Sequence, residues 1–157
     1  MLFKSILLLA ILLSGLVMGV LWGTWVSLSR SIESFSAELF LGIGKQMIKN
    51  LAAPMRVLMI SMVACNIGVC YWLFHLGHTS SGQFALLGAG LSAGVLIITV
   101  ALNVPLDLQI KKWDLQNLPA DWQLVRKKWE RFHAIRTTVS VAGFVAMVAA
   151  AVVLAKL

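Results

Sequence analysis

In the last third of the sequence, Trp122, Arg126, Trp129, His133 and Arg136 follow one another at spacings of four, three, four and three. On a helix that rhythm sets all five side chains along one stripe, since residues three and four apart share a face. Ser140 and Gly143 carry the same stripe onward, while Lys127, Lys128, Glu130 and Arg131 fall off it and read as solvated charge. The stripe has chemical reach. An imidazole exchanges protons near neutral pH, guanidiniums hold anionic oxygen, and indoles offer flat faces to an aromatic ring. Asn103 and Asp107, four apart in an earlier segment, can face the stripe and complete a polar pocket. The competing reading is anchoring. Tryptophan and arginine are ordinary residues of a membrane interface, and an Asp107–Arg136 pair can simply tie two helix ends together.

The elements that must position these residues are membrane spans. The 157-residue chain is 60% hydrophobic and only 12% charged, with a mean hydropathy of +0.91. A soluble domain of this size needs far more polar surface to cover its core. No lysine or arginine occurs between Lys4 and Arg30, or between Arg56 and Lys111. About 20 mostly apolar residues carry a helix across the hydrocarbon core. Four stretches reach or approach that length: Ile6–Leu28, Val57–Leu76, Phe84–Leu102 and Thr137–Ala155. The expectation is therefore a single all-α domain, an integral membrane four-helix bundle. The first stretch reads as a retained span, because it outruns a signal's apolar core and ends in Trp22 and Trp25 with no small-x-small site.

The basic excess, formally +7, follows the topology. One group, Arg30, Lys45, Lys49 and Arg56, joins spans one and two. Another, from Lys111 to Arg136, joins spans three and four, so only Lys4 and Lys156 lie elsewhere. Alternate connections share a side of the membrane. The positive-inside rule predicts both long connections in the cytoplasm and both termini outside. Anionic lipid, and not nucleic acid, is the partner expected for this charge.

Between the spans, Ser36–Leu51 places Leu39, Phe40, Ile43, Met47 and Leu51 on one face and polar residues on the other. It reads as an amphipathic helix lying in the interface, with Pro54 starting the second span. Pro105 predicts a bend after span three, and Pro119 with Asp121 predicts the start of one long C-terminal helix. Gly15, Gly19 and Gly23 in span one, and Gly88, Gly90, Ser92 and Gly94 in span three, permit close helix packing within the chain or against a second copy. Asn66 reads as a helix–helix hydrogen bond. Cys65 and Cys70, five apart on a helix, do not share a face. They read as free apolar fillers. His75 and His78 lack nearby acidic or thiol ligands, and no metal site is expected. The spans lack the interior charges of an ion-coupled transporter.

The Asn103-Val104-Pro105-Leu106 element, the following Trp113 and the run WQLVRKKWERFHAIRT (Trp122–Thr137) resemble the anthrone oxygenase-like family of small four-span membrane proteins. KQMIKNLAAP (Lys45–Pro54) is similar to that family's Gln-x-Ile element followed by a proline. The resemblance implies oxidation of anthrones to anthraquinones by molecular oxygen, with no metal, flavin or other cofactor. It extends to an apolar aromatic or quinol-type substrate and, given the short loops, a bacterial inner membrane. On this reading His133 is the base, Arg136 and Asn103 stabilise the developing oxyanion, and Trp122 and Trp129 stack on the substrate. Arg126, Asp107 and Trp113 complete the substrate pocket. The alternative is a non-enzymatic membrane module that assembles, as a homo-oligomer or with a partner, through its glycine faces.

Overall fold

The computed structural model describes residues 2–156. The chain forms α1 (Leu2–Ser27), a 3-10 turn (Ser29–Ser34), α2 (Ala37–His75), α3 (Thr79–Ile98), a π-turn (Thr99–Asn103), α4 (Val104–Lys112) and α5 (Trp122–Leu154). Among the described residues there is no strand. Among them are four helices long and apolar enough to cross a membrane, which makes this an integral membrane four-helix bundle. Packing runs α1–α2–α3–α5 and back to α1, so α1 and α3 lie across one diagonal and α2 and α5 across the other.

The α3–α5 seam is the tightest, and small residues make it so. A Cβ added at Gly88 would stand 2.7 Å from the Met147 sulfur and 3.3 Å from the Gly143 carbonyl. Ser81 Oγ strengthens the same seam by donating to the Ala150 carbonyl at 2.6 Å. Gly15 likewise admits the Phe144 ring of α5. Gly19, Gly23 and Gly90 have open space instead, so only part of each glycine row serves packing inside the chain. Asn66, fully buried on α2, donates to Ser92 Oγ of α3 at 2.7 Å and to Ser14 Oγ of α1 at 3.2 Å. One amide thereby ties three helices, where the sequence suggested a helix–helix hydrogen bond. Cys65 and Cys70 are free thiols.

Two turns set the path of the chain. Gly77, at φ +79°, reverses it between α2 and α3 in a conformation that strains any residue with a Cβ. The π-turn passes Pro105 without breaking the helix. Proline has no N–H to return to Ala101, and the wider turn, closed by Val104 N–H on the Thr99 carbonyl, absorbs the mismatch.

The connection between spans one and two departs from expectation. Pro54 does not start a new helix; α2 runs continuously through it for 39 residues. Proline lies on the exposed face there, and a helix held by packing on both sides tolerates one lost backbone bond. The segment expected to lie in the interface is the first third of α2, begun by a Ser36 cap whose hydroxyl accepts from Leu39 N–H at 3.2 Å. Its Phe40, Leu41 and Ile48 are buried with Ile32, Ile110, Trp113, Val125 and Trp129. Leu39, expected on the apolar face, is exposed. The segment buries its apolar side on α4 and α5 rather than in lipid. The long C-terminal helix is present, beginning at Trp122 just after Pro119 and Asp121.

Candidate functional site

Antiparallel pairing sets the row Thr99, Asn103, Asp107 and Lys111 beside the stripe of α5. A chain of polar contacts joins the two. Asp107 Oδ1 accepts the Trp129 indole N–H at 2.8 Å. The Trp129 ring stacks on His133, with centroids 5.6 Å apart and planes 15° from parallel. His133 Nδ1 faces Arg136, at 3.1 Å from Nε and 3.0 Å from Nη2. Arg136 Nη1 reaches Thr99 Oγ1 at 3.5 Å, and that hydroxyl itself donates to the Val95 carbonyl at 2.7 Å. A guanidinium has only donors, so Nδ1 is the acceptor in this arrangement and the ring hydrogen belongs on Nε2. Nε2 is buried without a hydrogen-bond partner among the described residues.

These residues form one wall of a cavity of about 240 Å³. Asp107, Trp129, His133 and Arg136 line it, with Arg56 and Lys111 at its exposed rim. Apart from Thr24 and Thr99, the remaining walls are mostly apolar, with Val20 and Leu21 of α1, Met47, Met55 and Met59 of α2, Leu96 of α3, and Val104 and Leu108 of α4. Methionines adapt to irregular shapes. The volume lies below the roughly 300–1,000 Å³ of pockets that take drug-sized ligands.

Half of the expected site residues are on this wall. Arg126, also on the stripe, is buried elsewhere, donating to the Phe35 carbonyl at 3.0 Å and the Glu33 carbonyl at 3.1 Å. Trp122 lies under its guanidinium, 4.8 Å away, and packs against Phe40. The pair fastens the start of α5 to the 3-10 turn. Trp113 is buried in the apolar cluster between α2, α4 and α5, and its carbonyl accepts from Lys45 Nζ. None of these three lines the cavity. Asn103 is also absent from the lining; it is fully buried, and neither amide atom has a hydrogen-bond partner. Sequence reasoning missed Thr99, Arg56, Lys111 and the α1 and α2 walls. The four-residue spacing of Thr99, Asn103, Asp107 and Lys111 carried a signal for two of them. Nothing in the local sequence marked Arg56 beyond its charge.

Fold and site together define a class: a small four-span membrane protein with a cavity, lined by an Arg–His pair and a Trp–Asp pair, at the charged end of its bundle. The chain belongs to the anthrone oxygenase family, whose model matches residues 49–146. That match takes in every polar residue of the cavity named above. No curated protein and no solved structure matches the chain.

Proposed function

We propose that the protein is an oxygenase that oxidises an apolar aromatic or quinol-type compound with molecular oxygen, without a cofactor, in the cavity beside His133. The observation that supports this most directly is the pairing of His133 with Arg136 on the wall of an otherwise apolar cavity, in a chain of the anthrone oxygenase family. An anthrone carries an acidic methylene, and its enolate reduces oxygen directly. The protein then needs a base and an anion-holding group.

The contact geometry suggests how one pair supplies both. His133 Nδ1 takes a proton from the substrate methylene, and the imidazolium repels the guanidinium that had been donating to it. Arg136 moves onto the enolate oxygen. The enolate carbon passes one electron to oxygen, and the resulting substrate radical and superoxide combine into a C–O bond. The imidazolium gives its proton to the terminal peroxide oxygen; His133 then takes the second methylene proton, the O–O bond breaks to leave a carbonyl, and the departing hydroxide takes that proton as water. The balance is one methylene and one dioxygen converted to one carbonyl and one water. Trp129 supplies the flat face beside the reacting ring. Asn103, buried without a partner, sits on the same helical row as Thr99 and Asp107 and is assigned no contact with substrate.

Oxygen consumption by the purified protein in detergent, with anthrone as substrate, tests the reading. Uptake with quinone formation, lost in a His133→Ala, Arg136→Ala double variant, is the expected result. Uptake unchanged in that variant removes the pair from the mechanism. We further propose that the charged end of the bundle faces the cytoplasm of a bacterial inner membrane and the opposite end lies outside, from the placement of eleven of the thirteen lysines and arginines. Reporter fusions in the loop at Gly77 and in the loop at Asp114 should report opposite sides.

Assembly through glycine is the second reading, and one observation favours it: Gly19 and Gly23 leave open space along one row of α1. Replacing both with leucine should reduce the oligomer mass in detergent if that row is an interface.

A further inference from the structure

We infer that the cavity takes its ligand from the bilayer, through the gap between α2 and α4, and that this ligand is a lipid-dissolved apolar compound bearing one acidic oxygen. The inference rests on reading this cavity as the substrate site, and it adds a direction of access and a charge requirement.

Exposure around the lining gives the direction. The cavity residues contributed by α1 and α5 are Val20, Leu21, Thr24, Trp129, His133 and Arg136, all buried or half-buried. Every exposed lining residue comes from α2 or from the π-turn and α4: Ala52 and Arg56 on one side, Val100, Val104, Leu108 and Lys111 on the other. The open side is therefore lateral. Along the bundle axis the cavity meets an apolar floor. Ile48 and Trp129 line it and belong to the same buried cluster as Phe40, Ile110, Trp113 and Val125. That cluster closes the route from the charged end of the bundle.

The rim is of the kind that faces lipid. Val100 is 58% exposed and Leu108 55%, and Val57 and Ile60, next on α2, are 64% and 54% exposed. Apolar side chains this exposed on a spanning helix belong against acyl chains. Arg56 and Lys111, one on each side of the gap, stand where long cationic side chains reach head-group depth. The mouth thus lies at the boundary between acyl chains and head groups, where amphiphilic aromatic compounds collect.

The charge requirement follows from the cations and anion present. Arg56, Lys111 and Arg136 are offset by Asp107 alone among the lining residues. An acidic oxygen, whether phenolate, enolate or carboxylate, is attracted to the mouth by the first two. It meets Arg136 at the inner wall.

Reconstituted protein in phosphatidylcholine vesicles provides a test that needs no turnover. Nitroxide labels placed at Leu108→Cys and Ala52→Cys, in a chain with Cys65 and Cys70 replaced by alanine, should be relaxed more by oxygen than by a water-soluble nickel chelate. Labels relaxed mainly by nickel would overturn bilayer access. In the unlabelled protein, anthracene-9-carboxylate dissolved in the same vesicles should quench tryptophan emission saturably. The affinity should fall about tenfold, a loss of one favourable charge contact, in Arg136→Gln, and to a similar degree in Leu108→Trp, which narrows the mouth. Arg136→Lys should recover part of the loss and shows that the fold is intact. Equal quenching in all variants would overturn the site, and quenching by neutral anthracene as strong as by its carboxylate would overturn the acidic-oxygen requirement. Vesicles with phosphatidylglycerol separate a lipid occupant from a small aromatic one. Competition by that lipid would assign the cavity to a head-group and overturn the small-molecule ligand. Because oxygen uptake is read elsewhere, binding with no oxidation would refute the oxygenase alone.

Discussion

The indole of Trp129 lies against the imidazole of His133, 5.6 Å between ring centroids and 15° from parallel, while its N–H is held by Asp107 at 2.8 Å. That relationship joins α4 to α5 through a residue pair 22 positions apart in sequence. Asp107 thus holds the indole that lies against His133.

Removing the carboxylate should therefore disturb turnover more than binding. Asp107→Leu is expected to lower kcat with a smaller change in KM for anthrone, and Asp107→Asn, which keeps an acceptor oxygen, should recover much of the loss. Steady-state oxygen uptake by the two variants checks this. Equal defects would mean that the charge, and not the hydrogen bond, is what matters.

Trp129→Phe keeps the aromatic face but drops the N–H donated to Asp107. The expected cost is about 1 kcal/mol of stability, in keeping with a net hydrogen bond in a membrane protein. Thermal unfolding in detergent measures it. Losing the whole ring in Trp129→Ala should cost roughly 3 kcal/mol, because the ring is buried in the cluster beneath the cavity.

The His133–Arg136 contact predicts an unequal pair of variants. His133→Gln should abolish anthrone oxidation while leaving protein folded in the membrane, since glutamine offers an acceptor to Arg136 but no base. Arg136→Lys should retain measurable oxidation, because an ammonium still holds an anion but loses the two-point approach to the imidazole. Activity retained in His133→Gln would remove the imidazole as base.

Close packing of α3 on α5 predicts a sharp contrast between two glycines a half-turn apart. Gly88→Ala places a methyl against Met147 and the Gly143 carbonyl and should destabilise the bundle by about 1–3 kcal/mol. Gly90→Ala meets nothing within 4 Å and should be neutral or slightly stabilising. Unfolding midpoints of the two variants, side by side, decide the matter.

Arg126 serves the fold by holding two carbonyls of the segment between α1 and α2. Arg126→Met should leave anthrone KM nearly unchanged yet raise protease cleavage near Ser29–Ser34. A KM increase as large as that of Arg136→Gln would return Arg126 to the substrate pocket.

What the sequence determined by itself was everything that depends on local periodicity and composition. Uncharged runs of membrane-spanning length specify four helices, because no other structure satisfies the backbone in lipid without a closed barrel. The spacing from Trp122 to Gly143 sets one buried stripe, since 3.6 residues make a turn whatever lies beside it. Asn66 could be read as an interhelical donor because a lone amide in a span has to find partners. What only the tertiary structure decided was what each face meets. The single stripe of α5 passes different neighbours: Trp122 meets Phe40 of α2, Arg126 meets the 3-10 turn, Trp129, His133 and Arg136 meet the cavity, and Gly143 meets α3. Periodicity is blind to that division. Arg56 enters the cavity rim from a helix whose own sequence suggested only topology, and α2 continues through Pro54 because contacts with α4 and α5, distant in sequence, hold its first third in place. A helix face is written in neighbouring residues; the surface it is pressed against is supplied by the rest of the chain.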